Sequence, residues 1–255
     1  MASQRRKLGV IGAAAAALVL VAGFVGWWFL LRDDAPEEAS IDAAGETLDE
    51  AAGGDGGDTG ADEDVDAAPA AGVDGEWSVD ATLGSFDDFS GTWAGYRVEE
   101  ELANIGASTA VGRTPDVSGT MTVESGEVTA VDVEVDMTTL QCDNGQRDGP
   151  LAARGLEYER FPTATFTLTS PVALPEDAAD APSLSTRATG DLTIHGVTRE
   201  VTIDLDAEVT DGSAAVVGQA PVKLTDFDIE APTGFRVLSI EDDATFEFQI
   251  FFTRS

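Results

Sequence analysis

The chain has 255 residues and a formal net charge of −34, with 48 acidic against 14 basic side chains, one histidine and one cysteine. Such acidity argues against nucleic acid as a partner, because phosphate contacts depend on Lys and Arg. The single Cys142 excludes an internal disulfide and any cysteine-based zinc site.

The charge divides the chain into three blocks. Residues 1–32 carry four basic and no acidic side chains, residues 33–76 sixteen acidic and no basic, and residues 77–255 ten basic and thirty-two acidic. After a basic N-terminus at residues 1–7, residues 8–31 form an uncharged and mainly apolar stretch of 24. At about 1.5 Å per residue it spans roughly 36 Å as a helix, enough to cross a bilayer core of about 30 Å. Arg5, Arg6 and Lys7 before it place the N-terminus in the cytoplasm, and Trp27 and Trp28 suit the outer interface. The expectation is an uncleaved membrane anchor with everything after it extracytoplasmic. A cleavable signal peptide is the alternative, although it usually has a shorter apolar core.

Residues 32–76 are rich in Ala, Gly, Asp and Glu and hold no aromatic residue before Trp77. Composition of this kind does not bury enough apolar surface to offset its ordering entropy, and the stretch reads as a disordered acidic tether.

From Trp77 to Ser255 the texture is that of strands. Period-two alternation is expected over residues 77–83, in a second strand that buries Trp93, Tyr96 and Val98, and over 106–113, 117–124 and 128–137. One helix is expected at residues 149–156, with Asp148 as its cap and Pro150 in its first turn. Strands resume at 164–169, and residues 171–182 form a polar loop. Residues 189–209, TGDLTIHGVTREVTIDLDAEV, then read as a hairpin turning at His195-Gly196. Strands at 213–225 and 244–253 complete an all-β chain. Eight to ten short strands with turn signals between them suggest a closed antiparallel barrel or a sandwich; the expectation is a closed barrel of about eight strands, which leaves no edge and can enclose one small ligand.

Catalysis finds no support. No GxSxG, HExxH, P-loop or GxGxxG stands in the context it needs. The lone His195 sits on a turn, and the carboxylates fall mainly at outward strand positions. No catalytic residue and no metal ligand is assigned. The apolar inward positions remain, and periodicity alone does not distinguish a hollow barrel from one filled by side chains.

Three segments in order, Trp77-Ser-Val-Asp80, Arg147-Asp-Gly149 with the run FPTATF at 161–166, and GDLTIHGVT at 190–198, resemble the YceI-like family. The resemblance covers residues 77–255. It implies a hollow lipocalin-like barrel that holds a polyisoprenoid or similar amphiphilic lipid, or a quinone, and no enzymatic activity. Apolar lining is the character carried over, onto Trp93, Tyr96, Val133, Val135, Met137, Phe166, Leu168, Leu192, Ile203, Leu224, Phe246 and Phe248. The chain departs from the family where residues 95–102 read GYRVEEEL without a histidine, and where residues 86–91 read as an insertion. The expected function is thus a membrane-anchored lipid carrier or store. An anchored interaction domain with a filled barrel is the competing reading.

Overall fold

The computed structural model describes residues 35–53, 72–175, 178, 181, 183–210, 212–234 and 236–255. The expected anchor at residues 8–31 lies outside the described residues. Among the described residues no helix is long and apolar enough to cross a membrane.

Among the described residues twelve strands follow one long helix: α1 (Ile41–Gly53), β1 (Gly75–Val79), β2 (Trp93–Leu102), β3 (Gly106–Thr114), β4 (Val117–Glu124), β5 (Glu127–Asp136), β6 (Gln141–Cys142), β7 (Thr163–Leu168), β8 (Val172–Ala173), β9 (Leu184–Ile194), β10 (Val197–Thr210), β11 (Ser213–Lys223) and β12 (Val237–Arg254). All pairings are antiparallel. The ring β1-β4-β5-β7-β9-β10-β11-β12 closes where β12 pairs with β1, through Trp77 opposite Arg254 and Val79 opposite Phe252. An eight-stranded antiparallel barrel results.

β12 is long enough to serve two partners along one edge. Its last residues pair with β1, and its earlier stretch pairs with β2, from Trp93 opposite Gln249 back to Leu102 opposite Val237. β1 and β2 therefore act as one wall strand interrupted by residues 80–92. β3 continues that wall beyond β2, and the short β6 pairs with it.

The 189–209 hairpin is confirmed and longer than expected. Ile194 pairs with Val197 across a two-residue turn in which His195 (φ 54°) and Gly196 (φ 74°) are both left-handed, as a type I′ turn requires. β12 begins seven residues before the expected strand at 244, with bulges between Val237 and Ser239 and between Ile240 and Ala244. Those irregularities break the alternation that would have shown it. The expected helix at 149–156 is a short α-turn, Asp148–Pro150, running into a π-turn, Leu151–Gly155. Asp148 does not cap it. Its carboxylate accepts instead from the Cys142 backbone N–H at 3.0 Å.

The tether needs correction. Residues 41–53 are helical, and α1 packs on the outer face of β10 and β11. Ala44 and Leu48 are buried with Ala215, Val217 and Phe251. Ile41, Ala44 and Leu48 fall at helical spacing, so one narrow apolar stripe suffices to dock an otherwise acidic segment.

Candidate functional site

The barrel is hollow. One cavity of about 150 Å³ is walled by apolar side chains from β4, β5, β7, β9, β10, β11 and β12, among them Met121, Val133, Phe166, Leu192, Ile203 and Phe248. A second, of about 250 Å³, lies between β2, β3, the 146–156 segment and the 229–237 loop. Both are lined by Ala94, Val135 and Phe246, so these three side chains stand where the cavities adjoin.

Eleven of the twelve expected lining residues face these cavities. Val133, Val135, Phe166, Leu168, Leu192, Ile203, Phe246 and Phe248 line the first; Tyr96, Val135, Met137, Leu224 and Phe246 line the second. Trp93 does not. It is three residues from Tyr96, and in a continuous strand that puts the two on opposite faces. Trp93 is buried on the outside, where its indole N–H donates to the Phe89 carbonyl at 3.2 Å and its ring lies 3.7 Å from the Arg113 guanidinium.

Phenylalanines at one level of the lumen would close it, and glycines prevent that. The ring of Phe248 lies over Gly218, its partner across the β11–β12 ladder, and the ring of Phe166 lies over Gly190. A Cβ at either glycine would overlap the ring. The ring of Tyr96 rests on Gly112 in the same way. Each aromatic ring thus lies against the wall and leaves the axis open.

The polar side chains cluster at the mouth of the second cavity. Glu100, 4% exposed, points inward from β2 and forms an ion pair with Arg147, which also binds Asp143. Burial raises the Asp143 carboxyl above its ordinary value, although Arg147 opposes this. Cys142 lies 3.6 Å from the Tyr96 hydroxyl, and burial pushes its thiol up to about 12. Arg154 and Arg236 complete the rim.

His195 ties two covering segments together. Its Nδ1 is 3.2 Å from the Phe227 carbonyl oxygen and its Nε2 is 2.8 Å from Glu157 Oε2. Both partners are acceptors, so both bonds form together when the ring carries two protons. The ring also meets Phe161 edge-on at 4.4 Å. Among the described residues no group of three or more His, Cys, Asp or Glu is placed to hold a metal ion.

Sequence reasoning missed the polar layer outside the barrel. Glu247 on β12 is fully buried. It accepts from Arg113 Nη2 at 2.8 Å and from Arg97 Nε at 3.4 Å, and the two arginines also donate to the carbonyls of Glu37 and Pro36. Beside it Gln249 Nε2 donates to the carbonyls of Phe89, Ser90 and Gly91. The alternation places Glu247 and Gln249 outward as surface residues. Only the covering segments, residues 35–53 and 80–92, make them interior.

A family model for the YceI-like domain matches residues 74–252. The chain is 28% identical over 159 residues to a UPF0312 protein of Pseudomonas syringae pathovar tomato, covering 59% of this chain and 79% of that protein. It is 29% identical over 167 residues to the protein YceI of Escherichia coli, covering 58% and 83%. The fold is also that of a polyisoprenoid-binding domain from Saccharophagus degradans, at a TM-score of 0.51 and 19% identity over 70% of this chain and 98% of that one.

Proposed function

Because the chain belongs to the YceI-like domain family, we propose that it is a carrier or store for a polyisoprenoid or similar amphiphilic lipid, whose tail lies in the barrel lumen. The observation that carries this reading is the hollow apolar interior, kept open by rings resting on Gly190 and Gly218. The relative from Saccharophagus degradans, of the same fold, is described as polyisoprenoid-binding, which agrees with it.

The energetics suit such a guest. An apolar cavity of about 150 Å³ accommodates a benzene-sized molecule. On that measure each cavity takes at least one five-carbon isoprene unit. Burying one unit contributes about 3–4 kcal/mol at roughly 0.8 kcal/mol per carbon, so two or three units outweigh the cost of association and reach about micromolar affinity. The interior needs no general acid, base or metal for this task, and the function is binding, not catalysis.

The apolar stretch at residues 8–31, with its flanking charges, supports a single-pass anchor in the cell membrane and an extracytoplasmic barrel. Anchoring would hold the barrel near its lipid source at high local concentration.

Native mass spectrometry of residues 35–255, with organic extraction of the same sample, tests the carrier reading. An extractable mass of several hundred daltons that fragments as an isoprenoid is expected. A protein that stays free of ligand after incubation with polyprenols and isoprenoid quinones would sink the proposal.

A further inference from the structure

The ten basic residues of 77–255 are few against thirty-two carboxylates, yet they are not spread evenly. Five form ion pairs: Arg97 and Arg113 with Glu247, Arg147 with Glu100 and Asp143, Arg187 with Asp204, and Lys223 with Asp242 and Asp243. Three more are engaged otherwise. Arg160 lies over Phe161, Arg199 donates to the Thr198 carbonyl, and Arg254 lies over Trp77 and donates to the Gly72 carbonyl. The remaining two, Arg154 and Arg236, have no side-chain partner among the described residues, and both line the mouth of the second cavity.

That position is telling in so acidic a protein. Glu100 is the one carboxylate among the described residues that line the cavity, and it shares Arg147 with Asp143 just behind the wall. Three guanidinium groups, Arg147, Arg154 and Arg236, thus meet two carboxylates, Glu100 and Asp143, at this mouth, and the two arginines without a partner among the described residues line a cavity whose other walls are mainly apolar. Guanidinium groups match carboxylate and phosphate oxygens and present donors only.

From this juxtaposition we infer that the barrel selects amphiphiles with an anionic oxygen head group, which Arg154 and Arg236 hold at the rim while the tail occupies the lumen. The inference rests on the carrier reading above and narrows its ligand class. An acidic domain repels a free anion at long range, so the head group arrives through burial of its tail and the rim acts as a local trap. The sequence holds no spacing signal for it, because residues 154 and 236 come from segments far apart in the chain.

The test uses the full-length chain in phosphatidylcholine nanodiscs, with empty nanodiscs as blank, and compares radiolabelled farnesyl phosphate with farnesol. Farnesyl phosphate is expected to bind about tenfold more tightly, with the gap narrowing in high salt, as for solvent-accessible charge-assisted bonds. In the double variant Arg154→Gln, Arg236→Gln the gap should fall to within about twofold, while Arg199→Gln, away from the rim, leaves it intact. Equal binding of both probes, or a gap that the double variant does not change, overturns the head-group assignment and leaves the carrier reading standing. Failure of both probes to bind overturns both. Inorganic phosphate at millimolar concentration should not displace farnesyl phosphate; if it does, the rim is a site for a free anion and the assignment to lipid head groups is wrong.

Discussion

At the residue scale the lumen depends on side chains that are absent. A Cβ at position 218 would overlap the Phe248 ring, and one at 190 the Phe166 ring, so each ring would have to swing toward the axis. Gly218→Ala is expected to cost about 1–3 kcal/mol as an overpacked wall and to weaken binding of long prenyl chains more than short ones. Unchanged long-chain binding together with unchanged stability would show that the ring does not bound the cavity. Cys142 offers a second check. With its thiol held at about 12 by burial, alkylation by iodoacetamide at pH 8 should be at least about a hundredfold slower than in the unfolded chain. Labelling at the unfolded rate would place the thiol in water. The inward alternation on β5, β7, β9 and β10 was legible residue by residue, because a wall strand has one apolar face and one wet face. Trp93 was misplaced because a large aromatic was equated with the lumen, although parity with Tyr96 already set it outside.

At the element scale α1 is where composition misled. Residues 35–53 are acidic and lack aromatics, and what docks them is a stripe of three apolar side chains plus backbone carbonyls that cap Arg97 and Arg113. Leu48→Asp puts a charge into that seam and is expected to cost about 2–4 kcal/mol of docking free energy, read as rapid hydrogen exchange throughout α1 and an exposed β11–β12 face. Slow exchange in α1 of that variant would show that the helix is held by something other than Leu48. The acidity of α1 has the opposite tendency. Burial, with Asp49 and Asp42 nearby, raises the Glu208 carboxyl above its ordinary value. A raised acid favours the docked form in mild acid, and this contribution is lost as pH rises through the raised value. At neutral pH Glu208→Gln should therefore tighten α1 by a few tenths of a kcal/mol, screened as the site is, and slow its exchange. Faster exchange would reverse the sign of this argument.

At the scale of the whole molecule the barrel is closed by hydrogen bonds yet incompletely filled, and the empty space is a reserve of stability that a guest supplies. A ligand bound only by the folded chain raises stability by about 2.7 kcal/mol at a hundred times its dissociation constant. Prenyl alcohols are thus expected to raise the melting temperature of residues 35–255 in a concentration-dependent way, and a melting temperature indifferent to them would contradict a lumenal site. The all-β class was legible from strand number and spacing, whereas closure over a sandwich rested on the absence of a free edge and on the family resemblance. The cationic rim and the Glu247 layer were not, because both are assembled from loops and covering segments that no period in the sequence ties to the strands they meet.

The rings resting on Gly112, Gly190 and Gly218 have one more consequence. The backbone ladder fixes how wide the barrel is, and in the carrier reading these three positions would set how far along it a guest slides. A methyl group at 112 or 218 meets side chains alone and displaces a ring from its resting place, whereas one at 190 also meets the Thr167 carbonyl oxygen of the wall itself. The interior therefore works as a ruler with movable stops. In the carrier reading proposed above, chain-length preference would be set at these notches.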